Sequence, residues 1–185
     1  LYAAFDKELS RDVLVKLLKE HDTEAQKSID REAKFGARVN DPNVVGIYDS
    51  GTHGDRRFLV MEHVKEAQTL DAFCQGGGAC SFRDVLNIAK QAAKGLDGIH
   101  RRGVVHGDIS PSNILVTKND RGLTVKICDF GLSFEDGDDI DDVRGTPGFI
   151  APECLKGDPQ TFRSDVWSLG RTLLQLSKPA STSVE

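Results

Sequence analysis

The segment from Val105 to Asn113 reads V-H-G-D-I-S-P-S-N, and with the D-F-G triplet at 129–131 it constrains this chain more than any other feature. It carries Asp108, a carboxylate of the kind that can take a proton from a hydroxyl. Asn113 and Asp129 supply the hard oxygen ligands that Mg²⁺ prefers. The alternative for Asp108 is a turn-forming aspartate that hydrogen-bonds the local backbone. The pattern therefore predicts a loop that holds one base and two metal ligands.

Four further motifs accompany this pair in a fixed order. They are V-L-V-K at 13–16, R-E-A at 31–33, G-T-P-G-F-I-A-P-E at 145–153 and D-V-W-S-L-G at 165–170. Each motif alone is a weak signal, because a strand-end lysine and a glutamate sixteen residues later prove no contact. All six in order, over about 155 residues, are a strong signal.

In these motifs the chain resembles the catalytic domain of eukaryotic-type serine/threonine protein kinases, and the resemblance covers nearly its whole length. It implies an α+β, two-lobed fold: a small β-rich N-lobe with one helix at 1–62, a hinge at 63–68 and a larger, mainly helical C-lobe at 69–185. Both lobes are expected to be partial. The sequence contains no glycine-rich loop before Lys16, and the helices expected beyond residue 176 are also absent from it.

The resemblance implies a role for the residues around the predicted base. Asp108 is the expected base, and Thr146 is expected beside it, bridging to the hydroxyl of a protein substrate. Asn113 and Asp129 are the expected ligands of Mg²⁺, which keeps phosphate oxygens and waters as its other ligands. The resemblance thus implies ATP and Mg²⁺ as cofactors.

A second group of residues is expected to bind the nucleotide. Lys16, held by Glu32, is the expected point charge on the α- and β-phosphates of ATP, so that Lys16→Met should remove phosphotransfer and leave the fold. A solvated strand-end lysine is the alternative. Met61 is expected to line the back of the adenine pocket, and Glu62 and Val64 to present backbone groups to the adenine edge.

Two residues are expected to support the loop rather than to react. By resemblance, His106 packs against Phe130 and is structural. Asp165 is expected to hold the backbone of the catalytic loop from the helix below it, with an exposed helix aspartate as the alternative.

Hydrophobic periodicity and turn residues predict the elements that carry these motifs. The predicted strands are 12–17, 44–49, 57–62, 114–116 and 124–127, and the predicted helices are 23–39, 82–101 and 161–176. In the last helix Trp167, Leu169, Leu173 and Leu174 are expected to face the core. Gly76-Gly77-Gly78 follows a helical stretch and not a strand, so we interpret it as a connector between helices and not as a phosphate loop.

Composition narrows the possible partners. The 185 residues suit one domain with a real core, and a net charge of −5 disfavours a broad nucleic-acid surface. The sequence contains no apolar run near 18 residues and no signal-peptide pattern, so neither a membrane span nor secretion is indicated and a cytoplasmic location is expected. The oligomeric state is not readable.

The four cysteines, Cys74, Cys80, Cys128 and Cys154, lack the spacing and the histidine partners of a zinc site. We interpret them as small buried hydrophobes in a reducing compartment. A redox-sensitive role is the alternative for Cys128, which precedes the predicted metal ligand Asp129.

Two departures from the family pattern surround Asp108. Gly107 replaces an arginine that in the family receives a phosphate from the activation loop, and residues 134–145 contain no Ser, Thr or Tyr but six acidic residues. These acids are either a solvated loop or the mark of a kinase that needs no loop phosphorylation and prefers basic substrates. Ser110 replaces a lysine that contacts the transferring phosphate, a loss on the order of 10²-fold in rate.

Three functions are compatible with these residues. The first is an active ATP-dependent serine/threonine protein kinase, which the completeness of the motifs favours. The second is a pseudokinase, a nucleotide-binding signalling scaffold, which Gly107 and Ser110 favour. The third is a small-molecule kinase of the aminoglycoside or choline type, which H-G-D favours but the motifs at 145–153 and 165–170 oppose.

Overall fold

The computed structural model describes residues 1–18, 23–75, 81–120, 122–138 and 143–176. The N-terminal part contains four antiparallel strands, which are β1 Tyr2–Asp6, β2 Arg11–Leu17, β3 Ile47–His53 and β4 Arg56–Glu62. They form one sheet in the order β1-β2-β4-β3. In β4 the alternation of exposed and buried positions turns Leu59 and Met61 to the core, which suits a central strand with one covered face.

One helix, α1 (Thr23–Gly36), covers this sheet. Its buried residues Ile29, Glu32, Phe35 and Gly36 recur at the three- and four-residue spacing of one helical face. Glu32 is the exception on that apolar face, and a buried carboxylate is costly unless it is paired and hydrogen-bonded. The helix therefore places one charge inward, where it needs a partner.

The rest of the chain is mainly helical. It contains α2 (Leu70–Gln75), α3 (Phe82–His100) and α4 (Phe162–Leu176). The hydroxyl of Ser81 caps α3 by accepting a hydrogen bond from the backbone N–H of Asp84 at 3.1 Å. This helix buries one face, with members Ile88, Ala92, Gly95, Leu96 and Ile99.

Two small sheets lie in this helical part. β5 (Gln68–Thr69), β7 (Ile114–Asn119) and β8 (Gly122–Ile127) form the first, in the order β5-β7-β8. β6 (Val104–Val105) and β9 (Phe134–Glu135) form the second. Because β6 leads into the segment with Asp108 and β9 follows the D-F-G triplet, this short ladder brings the two motifs side by side.

Two hydrophobic clusters make up the core. The smaller one joins α1 to the N-terminal sheet through Ile29, Val45, Leu59 and Met61. The larger one packs α3 and α4 on β7 and β8 and includes Ile88, Ile99, Ile114, Ile127 and Phe130. The linker after α1 joins the clusters, because Val45 donates a backbone hydrogen bond to Ile127 at 2.8 Å and Ile127 donates one to Asn43 at 2.8 Å.

The predicted element types are present, but several boundaries differ. β3 ends at His53 and not at residue 49, and β7 ends at Asn119 and not at residue 116. α1 ends at Gly36 and not at Val39, because the backbone N–H of Val39 bonds back only three residues, to Gly36, at 3.2 Å, and this tighter turn ends the helix. β3 begins at Ile47 and not at residue 44, because Val44 forms a bridge with Ile127 of β8 instead of joining the N-terminal sheet.

The prediction of which α4 residues face the core is partly wrong. Leu169 is buried and Leu173 packs against the core, as predicted. Trp167 is 37% exposed and Leu174 is 61% exposed, and both line a surface groove instead. The helix is apolar on more than one side, so periodicity alone cannot identify its inner face.

No helix in the described parts of the chain is long and apolar enough to cross a membrane. The three glycines at 76–78 and Cys80 lie outside the described residues. The division into an N-lobe, a hinge at 63–68 and a C-lobe stays a prediction.

Candidate active site

A cavity of about 410 Å³ opens between the N-terminal sheet and the segment with Asp108. Among the predicted site residues, those that line it are Lys16, Glu32, Met61, Glu62, Val64, Asn113 and Asp129. Asp108 and Thr146 do not line it, but they are joined to it through Asn113, which contacts Asp108. Residues that lie far apart in the sequence thus meet around one space large enough for a small ligand.

The Lys16 ammonium and the Glu32 carboxylate are 2.6 Å apart, which gives the buried glutamate of α1 its partner. The side chain of Glu32 is only 4% exposed, whereas that of Lys16 is 30% exposed. Burial lowers the pKa of Lys16, but the carboxylates of Glu32 and Asp129 raise it more, so the pKa lies above its ordinary value. Lys16 therefore stays protonated and presents a fixed positive charge to the cavity.

The carboxylate of Asp108 is held on both oxygens. Thr146 donates two hydrogen bonds to Oδ1, from its backbone N–H and from Oγ1, each at 2.7 Å. Asn113 donates from Nδ2 to Oδ2 at 2.8 Å and to the backbone carbonyl of Asp108 at 2.9 Å. These bonds fix both the position and the rotation of the carboxylate.

Asp165 supports the loop from below, because its buried carboxylate accepts hydrogen bonds from the backbone N–H groups of His106 at 2.8 Å and Gly107 at 3.0 Å. Its Oδ2 also lies 2.9 Å from Nε2 of His100. This turn of the loop needs a positive φ at Gly107, +78°, which costs glycine little.

The ring of His106 packs against Phe130, with 5.3 Å between the ring centroids. Its Nδ1 accepts a hydrogen bond from the backbone N–H of Asp108 at 3.3 Å, so its proton is on Nε2, which lies 3.2 Å from the carbonyl of Cys128. His106 is fully buried and joins the two motifs without facing the cavity.

The donor set at Asn113 and Asp129 fits Mg²⁺. Asn113 uses its amide nitrogen for Asp108, and its amide oxygen accepts no hydrogen bond from the described residues. One oxygen of Asp129 accepts from the backbone N–H of Gly131 at 3.0 Å, which leaves the other. Both residues line the cavity, and carboxylate and amide oxygens are ligands that this ion accepts.

At the edge of the cavity formed by residues 61–64, some backbone groups are already hydrogen-bonded within the protein. The backbone N–H of Glu62 donates to Gly46 at 2.8 Å, and the carbonyl of Val64 accepts from Ala67 at 3.3 Å. The N–H of Val64 donates to no group of the described residues, so it is available to a ligand. The Glu62 carboxylate is paired with Lys126, whose ammonium is 2.8 Å from it.

Sequence analysis missed several wall residues and two supporting ones. The apolar walls of the cavity include Leu14, Val45, Leu115, Cys128 and Phe130. Leu14 and Phe130 lie in the V-L-V-K and D-F-G motifs, but they were not predicted to line a cavity. Val45, Leu115 and Cys128 are apolar packing residues that belong to no motif. Lys126 and Gln160, which hold backbone and side-chain groups near the site, were also not predicted, because contacts between distant polar residues leave no local signal.

The described cysteines form no disulfide bonds, and they differ in how deeply they are buried. Cys154 is fully buried, whereas Cys74 and Cys128 are partly buried. Burial, with the neighbouring carboxylate of Asp129, raises the pKa of the Cys128 thiol to about 12. A protonated thiol is a poor nucleophile, so the structure favours the packing interpretation of Cys128 over the redox-sensitive one.

Comparison with known proteins identifies the family to which this fold and cavity belong. The chain belongs to the protein kinase family, because the protein kinase domain matches residues 1–182. The match favours the first two functions considered above over a small-molecule kinase.

The chain is also similar to bacterial serine/threonine kinases. It is 35% identical over 184 residues to a probable serine/threonine-protein kinase of Clostridium acetobutylicum, covering 96% of this chain and 27% of the relative. It is 33% identical over 183 residues to the serine/threonine-protein kinase PrkC of Bacillus subtilis, covering 95% and 28%. The corresponding values for PknB of Mycolicibacterium smegmatis are 32% over 189 residues, 95% and 30%. The chain thus spans about a quarter of the length of the curated relatives it matches.

Proposed function

We propose that this chain is the catalytic domain of an ATP-dependent protein kinase that transfers the γ-phosphate to serine or threonine hydroxyls of proteins. The observation that carries the proposal is the Asp108 carboxylate, which Thr146 and Asn113 fix from opposite sides beside the cavity. A base that is already oriented contributes to the rate because no reorganisation is needed when the proton moves.

The hydrogen bonds of Asp108 leave one oxygen with spare capacity. A carboxylate has about four lone-pair sites, two on each oxygen. Oδ1 uses two of these for Thr146, whereas Oδ2 uses one for Asn113. The remaining site of Oδ2 is where a substrate hydroxyl would give up its proton. Thr146 keeps lone pairs on Oγ1 and can accept a hydrogen bond from the same substrate.

Lys16 and the two oxygen ligands account for the phosphate side of the reaction. Lys16 would bind the α- and β-phosphates, and Glu32 keeps its ammonium at the cavity wall. Asn113 and Asp129 would hold Mg²⁺. When bound, this ion neutralises the charge of the phosphate oxygens. The apolar walls and the free N–H of Val64 suit the adenine ring.

A second candidate function rests on Ser110. This residue is fully buried, and its hydroxyl lies 2.8 Å from that of Ser112, so no cation occupies this position. A missing charge at the transferring phosphate is expected to lower the rate on the order of 10²-fold. This observation favours a pseudokinase that binds nucleotide and signals by its conformation.

The acidic stretch bears on the protein substrate. Residues 139–142 lie outside the described residues, so the position of three of the six acids is not described. Glu135 is already paired with Lys34 and Arg38 of the same chain, so a basic substrate would have to compete with them for this carboxylate. A preference for basic substrates, phosphate-independent activity and a cytoplasmic location remain parts of the proposal.

The deciding experiment is transfer of labelled γ-phosphate from Mg·ATP by the full-length protein. The acceptors are a generic basic protein, an acidic one and the kinase itself. We expect incorporation into serine or threonine of the basic protein, and loss of this signal in both Asp108→Asn and Lys16→Met. Phosphatase-treated protein should retain the activity.

The same variants separate the two candidates. Absence of transfer, combined with protection of the wild type by ATP against thermal unfolding, would replace the kinase with a pseudokinase. Full activity in Lys16→Met would contradict the nucleotide assignment. Equal transfer to acidic and basic acceptors would contradict the substrate preference only.

A further inference from the structure

The side-chain amide of Gln160 binds two separate segments of backbone. Its Nε2 donates to the carbonyl of Arg144 at 2.9 Å and to the carbonyl of Gly107 at 3.4 Å. Its Oε1 accepts from the backbone N–H of Arg144 at 3.4 Å. Both amide hydrogens and one oxygen lone pair are therefore used, all on main-chain groups.

These two backbone segments carry the base and its partner. Gly107 directly precedes Asp108, and Arg144 lies two residues before Thr146. The segments also approach each other closely, since a Cβ added at Gly145 would lie 2.9 Å from the carbonyl of Gly107. Gly145 has a φ of +119°, which an L side chain rarely adopts. Gln160 thus bridges the two segments next to the hydrogen bonds between Asp108 and Thr146.

A phosphate on the loop cannot make this connection between residues 107 and 144. A glycine at 107 has no side chain to bind a phosphate, and residues 134–145 offer no hydroxyl that could carry one. A neutral bridge from a partly buried amide needs neither charge nor modification. The requirement is only that the bridging side chain both donates and accepts, which an amide does and a carboxylate does not.

We propose that Gln160 is a positioning residue that keeps Thr146 within hydrogen-bond distance of Asp108. It would do so without phosphorylation of the loop. This inference rests on the proposed kinase function for its catalytic readout. Gln160 contacts neither the cavity nor its lining, and it acts only through the backbone of Gly107 and Arg144. Loss of the bridge should therefore change the chemical step and leave nucleotide binding unchanged.

The test uses Gln160→Glu and Gln160→Met in the full-length protein. The glutamate keeps the shape but sets a carboxylate against two carbonyl oxygens, and the methionine keeps the length without hydrogen bonds. We expect kcat to fall by between about tenfold and 10²-fold in Gln160→Glu, because small misplacements of catalytic groups have effects of this size. A smaller fall is expected in Gln160→Met, with the dissociation constant of Mg·ADP within about twofold of the wild type in both.

A second readout does not depend on activity. Amide hydrogen exchange at Arg144 and Thr146 should be slow in the wild type, since both N–H groups are hydrogen-bonded, and faster in both variants. Gln175→Glu, the same change at an exposed position of α4, is the matched control and should leave kcat, nucleotide binding and exchange unchanged.

The outcomes separate the two proposals. Unchanged kcat in both Gln160 variants of an active kinase, or a lower kcat without faster exchange at Thr146, would overturn the bridge. An inactive wild type with faster exchange in the variants would end the kinase proposal and still support the bridge. If Gln160→Glu unfolds, the exchange and kcat of Gln160→Met decide.

Discussion

The two ends of the stretch from residue 129 to residue 146 are held by different kinds of contact. The near end, residues 129–135, is held to α1 and to the turn that follows it by charged side chains. Arg31 of α1 donates to the carbonyl of Gly131 at 2.7 Å, and Glu135 lies 3.1 Å from both Lys34 of α1 and Arg38 of the turn. The far end, residues 144–146, is held by the carboxylate of Asp108 and the amide of Gln160, which bind mostly backbone groups.

The two sets of contacts also differ in how far their side chains are exposed to solvent. The side chains of Lys34, Arg38 and Glu135 are 60%, 38% and 45% exposed, and exposed ion pairs contribute little stability and are screened by salt. At the far end, the two hydrogen bonds from Thr146 to Asp108 are short and partly buried, and Asp108 is the predicted base. We infer that the near end tunes the position of α1, whereas the far end sets the geometry of the reaction.

The largest effect is expected at the far end, in Thr146→Val. The substitution removes the Oγ1 hydrogen bond to Asp108 and keeps the side-chain volume nearly constant. We expect kcat to fall by about 10²-fold, the size seen when one oriented donor is lost from an active site. Steady-state kinetics with a protein substrate measure it. Thr146→Ser, which restores the hydroxyl, should recover most of the rate, and equal losses in both variants would contradict the role of the hydroxyl.

A smaller effect is expected at the near end, in Glu135→Lys. The new ammonium would repel Lys34 and Arg38, and a fall in kcat/KM of about three- to tenfold is expected from exposed charges of this kind. Recovery in the triple variant with Lys34→Glu and Arg38→Glu would identify the ion pairs as the cause. The wild type and Glu135→Lys should converge at about 1 M salt, where the screening length is about 3 Å. A Glu135→Lys defect that persists at this salt would contradict an electrostatic origin.

The pKa of Glu135 gives this contact a pH limit. Lys34, with a further contribution from Arg38, lowers the pKa of the Glu135 carboxyl. A lowered pKa means that the folded state favours the charged form, so the contact is complete above the ordinary range for glutamate and is lost as the pH falls through the lowered value. The contact is therefore insensitive to pH near neutrality.

The smallest effect concerns Cys128, which directly precedes the near end. Its pKa is raised to about 12, so the folded state keeps the thiol protonated at pH 8, where a free cysteine near 8.5 is already partly ionised. We expect iodoacetamide to modify Cys128 at least about tenfold more slowly in the folded protein than in urea. Peptide mapping by mass spectrometry measures both rates. Similar rates in the two conditions would contradict the raised pKa.

The secondary-structure elements and the site residues could be predicted from the sequence for different reasons. α3 was predictable because its buried face follows strict helical spacing, and the site residues were predictable because six motifs occur in the order of one family. The structure brings Lys16 to Glu32 and Thr146 to Asp108, which are the contacts that the resemblance implies. Their catalytic roles stay predictions.

What sequence reasoning missed depends on tertiary contacts. Val44 is a β-branched residue of the kind that strands favour, but the sequence does not show which strand it pairs with. In the structure it forms a bridge with Ile127 of β8. The outward side of α4 at Trp167 was predicted wrongly, because that helix is apolar on more than one face. Gln160 carries no motif at all, and its importance lies in the backbone groups that it meets.

The ion pair between Glu62 and Lys126 has a mechanical consequence. Glu62 ends β4 at the edge of the cavity, and Lys126 lies in β8 just before the stretch that begins at residue 129. The carboxylate also accepts from the backbone N–H of Gly46, in the linker after α1, at 3.1 Å. One carboxylate therefore links the end of β4 to both the linker and β8, so Glu62→Gln would weaken two connections at once.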